Sequence, residues 1–258
     1  MSYTQRQVHQ QLLAHMELIA SETPPNTQEL DQIWRSLNLL QIRDQIDIQY
    51  VCFRGQSNQL DENITLFNRG GLSIDISNWR IQAGSPDQVY IFPEGSTLEP
   101  YQSIVVDTAG SNEHSFNSNH PIWNNRGDLA TLFDHHGQKV SAWAYGSGAY
   151  HDIVISHIHF DGEQKHTEGD EYIEISNTSA NFIDLSQWRV EATKNETSFT
   201  FPELSILKPE SSLRIYTNKA DLSDGEYSFN SPSAIWNNQG GGAKLLDYQT
   251  REVSVYHY

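Results

Sequence analysis

The chain contains two copies of one sequence pattern, and this duplication limits the folds that it can adopt. Residues 170–177 read DEYIEISN, and residues 183–190 read IDLSQWRV. The earlier copy reads DENITLFN at residues 61–68 and IDISNWRI at residues 74–81, each 109 positions before its match. A repeat of this length exceeds the roughly 20–50 residues of a solenoid unit. It therefore predicts two copies of one independently folding domain.

The match continues almost to the end of the chain, with four residues gained in the second copy around residues 219–225. The later motifs are FPE at 92–94 and 201–203, SFNS at 115–118 and 228–231, and IWNN at 122–125 and 235–238. An insertion confined to one polar stretch is typical of a surface loop. We therefore expect an N-terminal extension at residues 1–45, a first domain at 46–147 and a second at 148–258. Residues 146–148 read GSG, which predicts a short flexible joint.

The N-terminal extension is predicted to form a hairpin of two amphipathic helices. The first helix covers residues 4 to about 21, and Asn26 with Glu29 has the spacing of a capping box for the second. Because two short helices bury little surface, their apolar face should dock on the chain's own sandwich, on another copy or on a different protein. The face consists of Val8, Leu12, Met16, Ile19, Leu30, Ile33, Trp34, Leu37 and Leu40.

From about residue 46 the pattern changes to short runs of β-branched and aromatic residues separated by Gly, Asn, Pro and Asp. Apolar and polar residues alternate in several runs, for example Val253 and Val255 around Ser254. This alternation predicts strands with one buried face. About seven strands per copy, without helices between them, predict two tandem immunoglobulin-like β-sandwiches. The expected core anchors are Trp79 and Trp188 in alternating strands, with Trp123 and Trp236 packed at the sandwich ends.

The order of these motifs resembles the lamin tail domain, here in tandem and of the bacterial type. The second copy holds the pattern throughout, whereas the first departs from it at residues 63–67 and in its opening strand. The resemblance implies an immunoglobulin-like sandwich and a non-catalytic interaction module, found in nuclear filament proteins and in varied bacterial multidomain chains. The filament proteins carry a long coiled-coil rod ahead of the domain. Here a helical hairpin of about 45 residues takes that place, which does not support filament formation by a rod.

The net charge of −17 bears on the kind of partner that the chain can hold. Such a surface repels nucleic-acid backbones and anionic membranes and favours basic protein surfaces or divalent cations. Cys52 is the only cysteine, so the chain has no internal disulfide. It lies in a predicted strand, where an inert thiol is expected. The N-terminus lacks an apolar run after its first basic residue, and no apolar stretch reaches the length of a membrane span. We therefore expect a cytoplasmic protein without membrane insertion.

One cluster has the composition of a metal site. His157 and His159 are two positions apart in a predicted strand and should project to the same face. Imidazole and carboxylate together suit zinc, and an acid-rich loop could hold calcium. The first copy has Tyr50 and Cys52 at the corresponding positions, and the loop lacks the ligand spacing of a calcium site. The candidate ligands are His157, His159, Asp161 and Glu163, with His166 close behind.

No motif in the sequence indicates catalysis. The GSG at residues 146–148 lacks a nucleophile elbow, and no phosphate-binding glycine motif with its lysine is present. We therefore predict a non-enzymatic structural or adaptor protein with no required cofactor. Its partner would be a protein, or a second copy, bound through the helical hairpin. The alternative is a surface-binding module that depends on calcium or a transition metal.

Overall fold

A computed structural model describes residues 3–21, 26–30, 32–33, 45–55, 58–164, 167–195 and 197–258, with side chains from residue 10 onward. The described residues are mainly in β-strands, which confirms the predicted fold class. The chain divides into two compact units. The first comprises Met1–Ile122 with Thr131–Ala142, and the second comprises Trp123–Ala130 with Trp143–Tyr258.

The N-terminal extension begins with helix α1, Tyr3–Ala20. Residues 27–30 and 32–33 are also helical, and Asn26 caps this segment as its sequence predicts. The N–H of Glu29 donates to Asn26 Oδ1 at 3.2 Å, while Asn26 Nδ2 donates to Glu29 Oε2 at 3.0 Å. The N-cap bond is thus formed, whereas the Glu29 carboxylate accepts from the Asn26 side-chain amide, where a full capping box uses the backbone N–H of the cap residue.

The first copy of the repeat forms ten strands. They are β1 Ile46–Cys52, β2 Asn63–Asn68, β3 Ile74–Asp75, β4 Arg80–Ala83, β5 Val89–Ile91, β6 Thr97–Leu98, β7 Ser103–Asp107, β8 His114–Ser115, β9 Gly127–Phe133 and β10 Lys139–Gly146. One layer has the order β1-β2-β7-β8, another contains β10-β9-β4-β5, and β3 pairs with β6. Alternate residues of β2 are buried, because successive side chains of a strand point to opposite faces.

The second copy repeats this arrangement with ten further strands. They are β11 Ile153–His159, β12 Tyr172–Asn177, β13 Phe182–Asp184, β14 Arg189–Ala192, β15 Ser198–Thr200, β16 Ile206–Leu207, β17 Ser212–Tyr216, β18 Glu226–Ser228, β19 Gly242–Leu246 and β20 Glu252–His257. The layers have the orders β11-β12-β17-β18 and β15-β14-β19-β20. Of residues 146–148, predicted to be a flexible joint, the first ends β10 and the other two lie in a 3₁₀ turn at Ser147–Ala149.

Both opening strands contain a bulge at the same place. The pairing of β11 with β12 shifts between Ile155 and His157, and the N–H of Ile155 donates to Ser254 Oγ at 3.0 Å. In the first copy, the shift lies between Ile48 and Tyr50, and the N–H of Ile48 donates to Ser141 Oγ at 3.0 Å. The serine satisfies a backbone donor that the bulge removes from the ladder.

The predicted alternation is wrong at the last strand. Val255 is 39% exposed rather than buried, and Ser254 reaches the bulge of β11 instead of solvent. The cause is a second bulge, since the pairing of β19 with β20 shifts between Leu245 and Leu246. A one-residue shift moves every following side chain to the opposite face of the sheet.

None of the helices within the described ranges is both long enough and apolar enough to cross a bilayer.

Candidate functional site

A duplicated turn brings each central tryptophan into its core. The Asp184 carboxylate accepts the N–H of Ser186 at 2.8 Å, and the N–H of Trp188 donates to the carbonyl of Leu185 at 2.9 Å. Gln187 between them adopts a φ of 63°. The first copy repeats this turn with Asp75, Ser77, Asn78 and Trp79. The repeated Asp-x-Ser-x-Trp pattern is therefore a turn motif that places the indole inward.

All four repeated tryptophans are buried. Trp79 is 4% exposed and Trp188 is fully buried, while Trp123 and Trp236 are each 3% exposed. Trp188 and Trp236 both belong to the core of the second sandwich. These positions indicate packing and leave little indole surface for a ligand.

Sequence reasoning missed a buried carboxylate in each copy. Glu171 has no exposed surface, and its Oε2 accepts the hydroxyl of Thr217 at 3.1 Å and the N–H of Ile235 at 3.1 Å. Glu62, its counterpart, is equally buried and accepts the N–H of Ile122 at 2.9 Å. The glutamate therefore holds the loop that carries the Ile-Trp-Asn-Asn motif. The shared Asp-Glu of both copies was the available signal.

Burial changes the ionisation of this group. Removal from water, with a smaller contribution from a hydrogen bond to Glu168, raises the pKa of Glu171 to about 7. The N–H groups of Ile235 and Trp236 and the Thr217 hydroxyl oppose this rise by stabilising the charged form. The carboxyl group therefore takes up a proton near neutral pH, where an exposed glutamate stays ionised.

The outer face of the sheet formed by β11, β12, β17 and β18 carries a group of aromatic and charged side chains. We call Tyr172, Glu174, Arg214 and Tyr216 the Tyr–Arg face. Tyr172 lies opposite Tyr216 in the ladder, with ring centroids 5.4 Å apart, and Glu174 lies opposite Arg214. The Arg214 guanidinium stands 4.4 Å from the Tyr172 ring centre, and its Nε donates to Glu174 Oε2 at 2.9 Å.

The Tyr–Arg face is held rigid by its own contacts. The hydrogen bond to Glu174 raises the pKa of Arg214, so the guanidinium remains charged. Lys219 stands 4.4 Å from the Tyr216 ring centre and forms an ion pair with Glu226 at 2.6 Å. The Tyr216 hydroxyl donates to Glu226 at 3.3 Å. Tyrosine and arginine, together with tryptophan, are enriched at the residues that contribute most to protein–protein binding.

The first copy has different chemistry on the equivalent face. Its ladder pairs Asn63 with Asp107 and Thr65 with Val105, at the positions of the four residues of the Tyr–Arg face. Val105 is 38% exposed where the second copy has Arg214. The two sandwiches therefore share one frame and present different outer surfaces.

Two of the predicted metal ligands, His157 and His159, lie beside Tyr172 of the Tyr–Arg face. The rings of His157 and His159 both approach the Tyr172 ring, with centroid distances of 5.9 and 5.3 Å. Asp161 Oδ1 instead accepts a hydrogen bond from Asn238, and Glu163 is exposed. His166 lies outside the described residues. Over the ranges that the structure describes, no three His, Cys, Asp or Glu side chains come together as a metal site would require.

The described part of the hairpin face is used in packing between the helices. Ile19 and Ile33 are 2% and 6% exposed and form a small cluster with Leu12, Met16 and Leu30. His15 Nε2 and Glu29 Oε1 are 3.0 Å apart across the same pair of helices. Leu18, outside the cluster, is 64% exposed. The side chains of Val8, Trp34, Leu37 and Leu40 lie outside the described residues.

Cys52 and the adjacent histidines His135 and His136 take part in local structure. Cys52 is the last residue of β1, and burial, followed by the charge of Asp61, raises the pKa of its thiol, which disfavours the reactive thiolate. His135 and His136 lie in the β9–β10 turn, where Asp134 Oδ1 accepts the N–H groups of His136 and Gln138.

Comparison with known families agrees with the repeat. A family model described as Lamin Tail Domain matches residues 42–147 and again residues 146–258. The two matches together cover residues 42–258, which is more than four fifths of the sequence. No significant match was found among curated protein sequences.

Proposed function

Because the chain belongs to the lamin tail domain family, which is a structural and not an enzymatic family, we propose that it is a non-catalytic adaptor. In this proposal the two domains are supports that hold protein partners in place. One partner binds the Tyr–Arg face of the second domain, and the N-terminal hairpin provides a second docking element.

The observation that carries this proposal is the difference between the two outer faces. Both copies keep the same buried framework, including Glu62 and Glu171, yet Arg214 with its two tyrosines occurs on the second copy alone. The fold does not require these outward residues, since the first copy forms the same ladder without them. An exposed arginine beside two half-buried tyrosines, none of which the fold requires, supports a role in recognition.

The hairpin supports the proposal in a second way. Its helices bury part of their apolar face by packing on each other, whereas Leu18 on α1 remains 64% exposed. A further apolar contact at this helix would remove Leu18 from water, worth about 1.5–3 kcal/mol on full burial.

The test compares capture of native-host proteins by the full chain and by matched variants. Arg214→Ala should lose the proteins held by the Tyr–Arg face, whereas Val105→Ala, the equivalent position of the first copy, should retain them. Leu18→Glu should lose any protein held by the hairpin, and Leu72→Glu is its control, because Leu72 is 62% exposed. Identical co-purifying proteins for all four variants and the parent would overturn the adaptor role.

A further inference from the structure

The second unit contains a parallel pairing of β10 with β13, and both strands have counterparts elsewhere in the repeat. Trp143, Ala144 and Tyr145 of β10 pair in parallel with Phe182, Ile183 and Asp184 of β13, whose other edge pairs with β16. The rings of Trp143 and Phe182 are stacked, with centroids 6.3 Å apart. A short β13–β16 pair is thus extended by a third strand.

The counterpart of β10 in the second copy is β20, 113 positions later. Tyr258, the residue after β20, exchanges both backbone hydrogen bonds with Gly241, at 3.1 and 3.2 Å. In an antiparallel ladder the neighbouring residue, His257, then directs its N–H and C=O away from β19. Of the strands in the described ranges, none pairs with that outer edge of β20. His257 is exposed, whereas its counterpart Ala144 is fully buried.

The counterpart of β13 in the first copy is β3. Strand β3 pairs with β6 as β13 pairs with β16, and within the described part of the chain it has no third strand. Asp75 is exposed, whereas its counterpart Asp184 is 5% exposed. Ser73 stands at the position of Phe182 and is also exposed. The first copy thus contains β3 as the counterpart of β13, and the second copy contains β20 as the counterpart of β10. The complete pairing of such strands is the one between β10 and β13 in the second unit.

We propose that β20 of one molecule adds in parallel to β3 of a second copy of this chain, with His257 opposite Ile74. Main-chain hydrogen bonds between two open edges provide the attraction, as when a peptide adds a strand to a sheet. The contact joins two different surfaces, so it is head to tail, and a pair of molecules still has one β20 edge and one β3 edge outside the contact. Repetition of the contact adds further molecules to the oligomer. This inference concerns a site separate from the hairpin and from the Tyr–Arg face.

A second set of groups matches the same geometry. In the second unit, Tyr248 Oη and Gln249 Nε2 donate to the carbonyl of Asn125 at 2.8 and 3.1 Å. In the first copy, His135 and His136 stand at the positions of the donors Tyr248 and Gln249. In the second copy, Asn238 stands at the position of Asn125. All three counterparts are exposed. Histidine can donate through a ring N–H. The proposed contact therefore places two donors, His135 and His136, near the Asn238 carbonyl, as Tyr248 and Gln249 are placed near Asn125 within the second unit.

The first test is sedimentation velocity on residues 1–258 from about 1 to 500 µM, a range that covers weak protein contacts. The weight-average mass should rise with concentration above the 29.4 kDa of one chain. His257→Pro removes the outward N–H from an edge strand and should abolish the rise. His257→Ala keeps that N–H and should behave as the parent. A single 29.4 kDa species at every concentration, or equal association of the two variants, would overturn the proposal.

A gain-of-function variant guards against loss by misfolding. Ser73→Phe restores the ring that Phe182 supplies in the internal pairing, here against Tyr256, and should tighten association roughly threefold to tenfold. Ser73→Ala should have no such effect. Leu18→Glu should leave the association unchanged, because the hairpin does not take part. Association lost in Leu18→Glu, or unaltered in Ser73→Phe, would contradict pairing between β20 and β3.

Discussion

Glu171 shows how one buried side chain joins distant parts of the second sandwich. Its carboxylate accepts hydrogen bonds from the hydroxyl of Thr217, next to β17, and from the N–H of Ile235 in the loop before β19. The backbone carbonyl of the same residue accepts the N–H of Thr217 at 2.8 Å. Because the group is buried beside Glu168, its charge has a cost that depends on pH.

Glu171 should make the protein less stable as the pH rises toward neutrality. Its pKa is about 7 in the folded state and near its usual value of 4.5 in the unfolded chain, so the folded state binds more protons between these values. Stability must therefore fall from about pH 4.5 to pH 7, by at most about 3 kcal/mol.

The measurement for Glu171 is the thermal midpoint from pH 4.5 to pH 8. Glu171→Gln is neutral throughout and should flatten this part of the profile. Glu163→Gln, at an exposed glutamate, should keep the slope of the parent. A parent-like slope in Glu171→Gln would show that other groups cause the pH dependence.

Trp188 should be the residue whose loss weakens the second sandwich most. It is fully buried and among the largest side chains of that core. Trp188→Ala leaves a cavity and should lower the free energy of unfolding by about 3–5 kcal/mol. Urea titration followed by circular dichroism measures the change. Tyr101→Ala, at a residue 65% exposed, should alter stability by less than about 0.5 kcal/mol.

At the residue scale, the sequence predicts apolar anchors better than polar ones. An indole such as Trp188 in an alternating pattern has one favourable place, which is the core. A glutamate such as Glu171 is usually exposed. Its burial depends on hydrogen-bond donors far along the chain, namely the hydroxyl of Thr217 and the N–H of Ile235. The sequence did not predict the Tyr–Arg face either, because Arg214 contacts Tyr172 only through the register of β12 and β17.

At the scale of elements, the bulge of β11 depends on one hydroxyl. The N–H of Ile155 leaves the ladder at the bulge and finds Ser254 Oγ on β20. Ser254→Ala leaves this donor without its partner and should lower the free energy of unfolding by about 1–3 kcal/mol.

Ser254→Thr keeps the hydroxyl and is the matched control for the β11 bulge. It should retain most of the stability lost in Ser254→Ala, as measured by urea titration. The same comparison at Ser141, which serves Ile48 in the first copy, should give the same order of stabilities. Equal losses for alanine and threonine would indicate that packing, not the hydrogen bond, matters there.

The elements that the sequence did not predict are the shortest. Strands β3, β6 and β8 have two residues each, too few to show alternation. They form because neighbouring turns place them side by side, as with Ile74 opposite Leu98. The β20 bulge was missed for a related reason, since a bulge interrupts the very period from which a strand's faces are predicted. By contrast, the helix cap at Asn26 depends on residues only three positions apart and was correctly predicted.

At the scale of the whole molecule, the duplication has a consequence that one copy alone would not have. Each copy contains the same strands, so an edge that is paired in one place has no partner strand among the described residues in another, as with Ala144 and His257. Open edges invite further strands unless the molecule opposes them. The net charge of −17 acts in that direction, because like-charged copies repel one another.

Salt should therefore strengthen the head-to-tail contact between β20 and β3. The pairing rests on main-chain hydrogen bonds, which salt screens little, whereas the repulsion between two chains of net charge −17 acts through solvent. Raising the ionic strength from about 0.01 M to 0.1 M shortens the screening length from about 30 to 10 Å. The dissociation constant from sedimentation velocity should fall several-fold over this range. His257→Pro should remain monomeric at both salt concentrations, which separates edge pairing from general salting-out. A contact weakened by salt would instead indicate attraction between opposite charges and would contradict pairing through these edges.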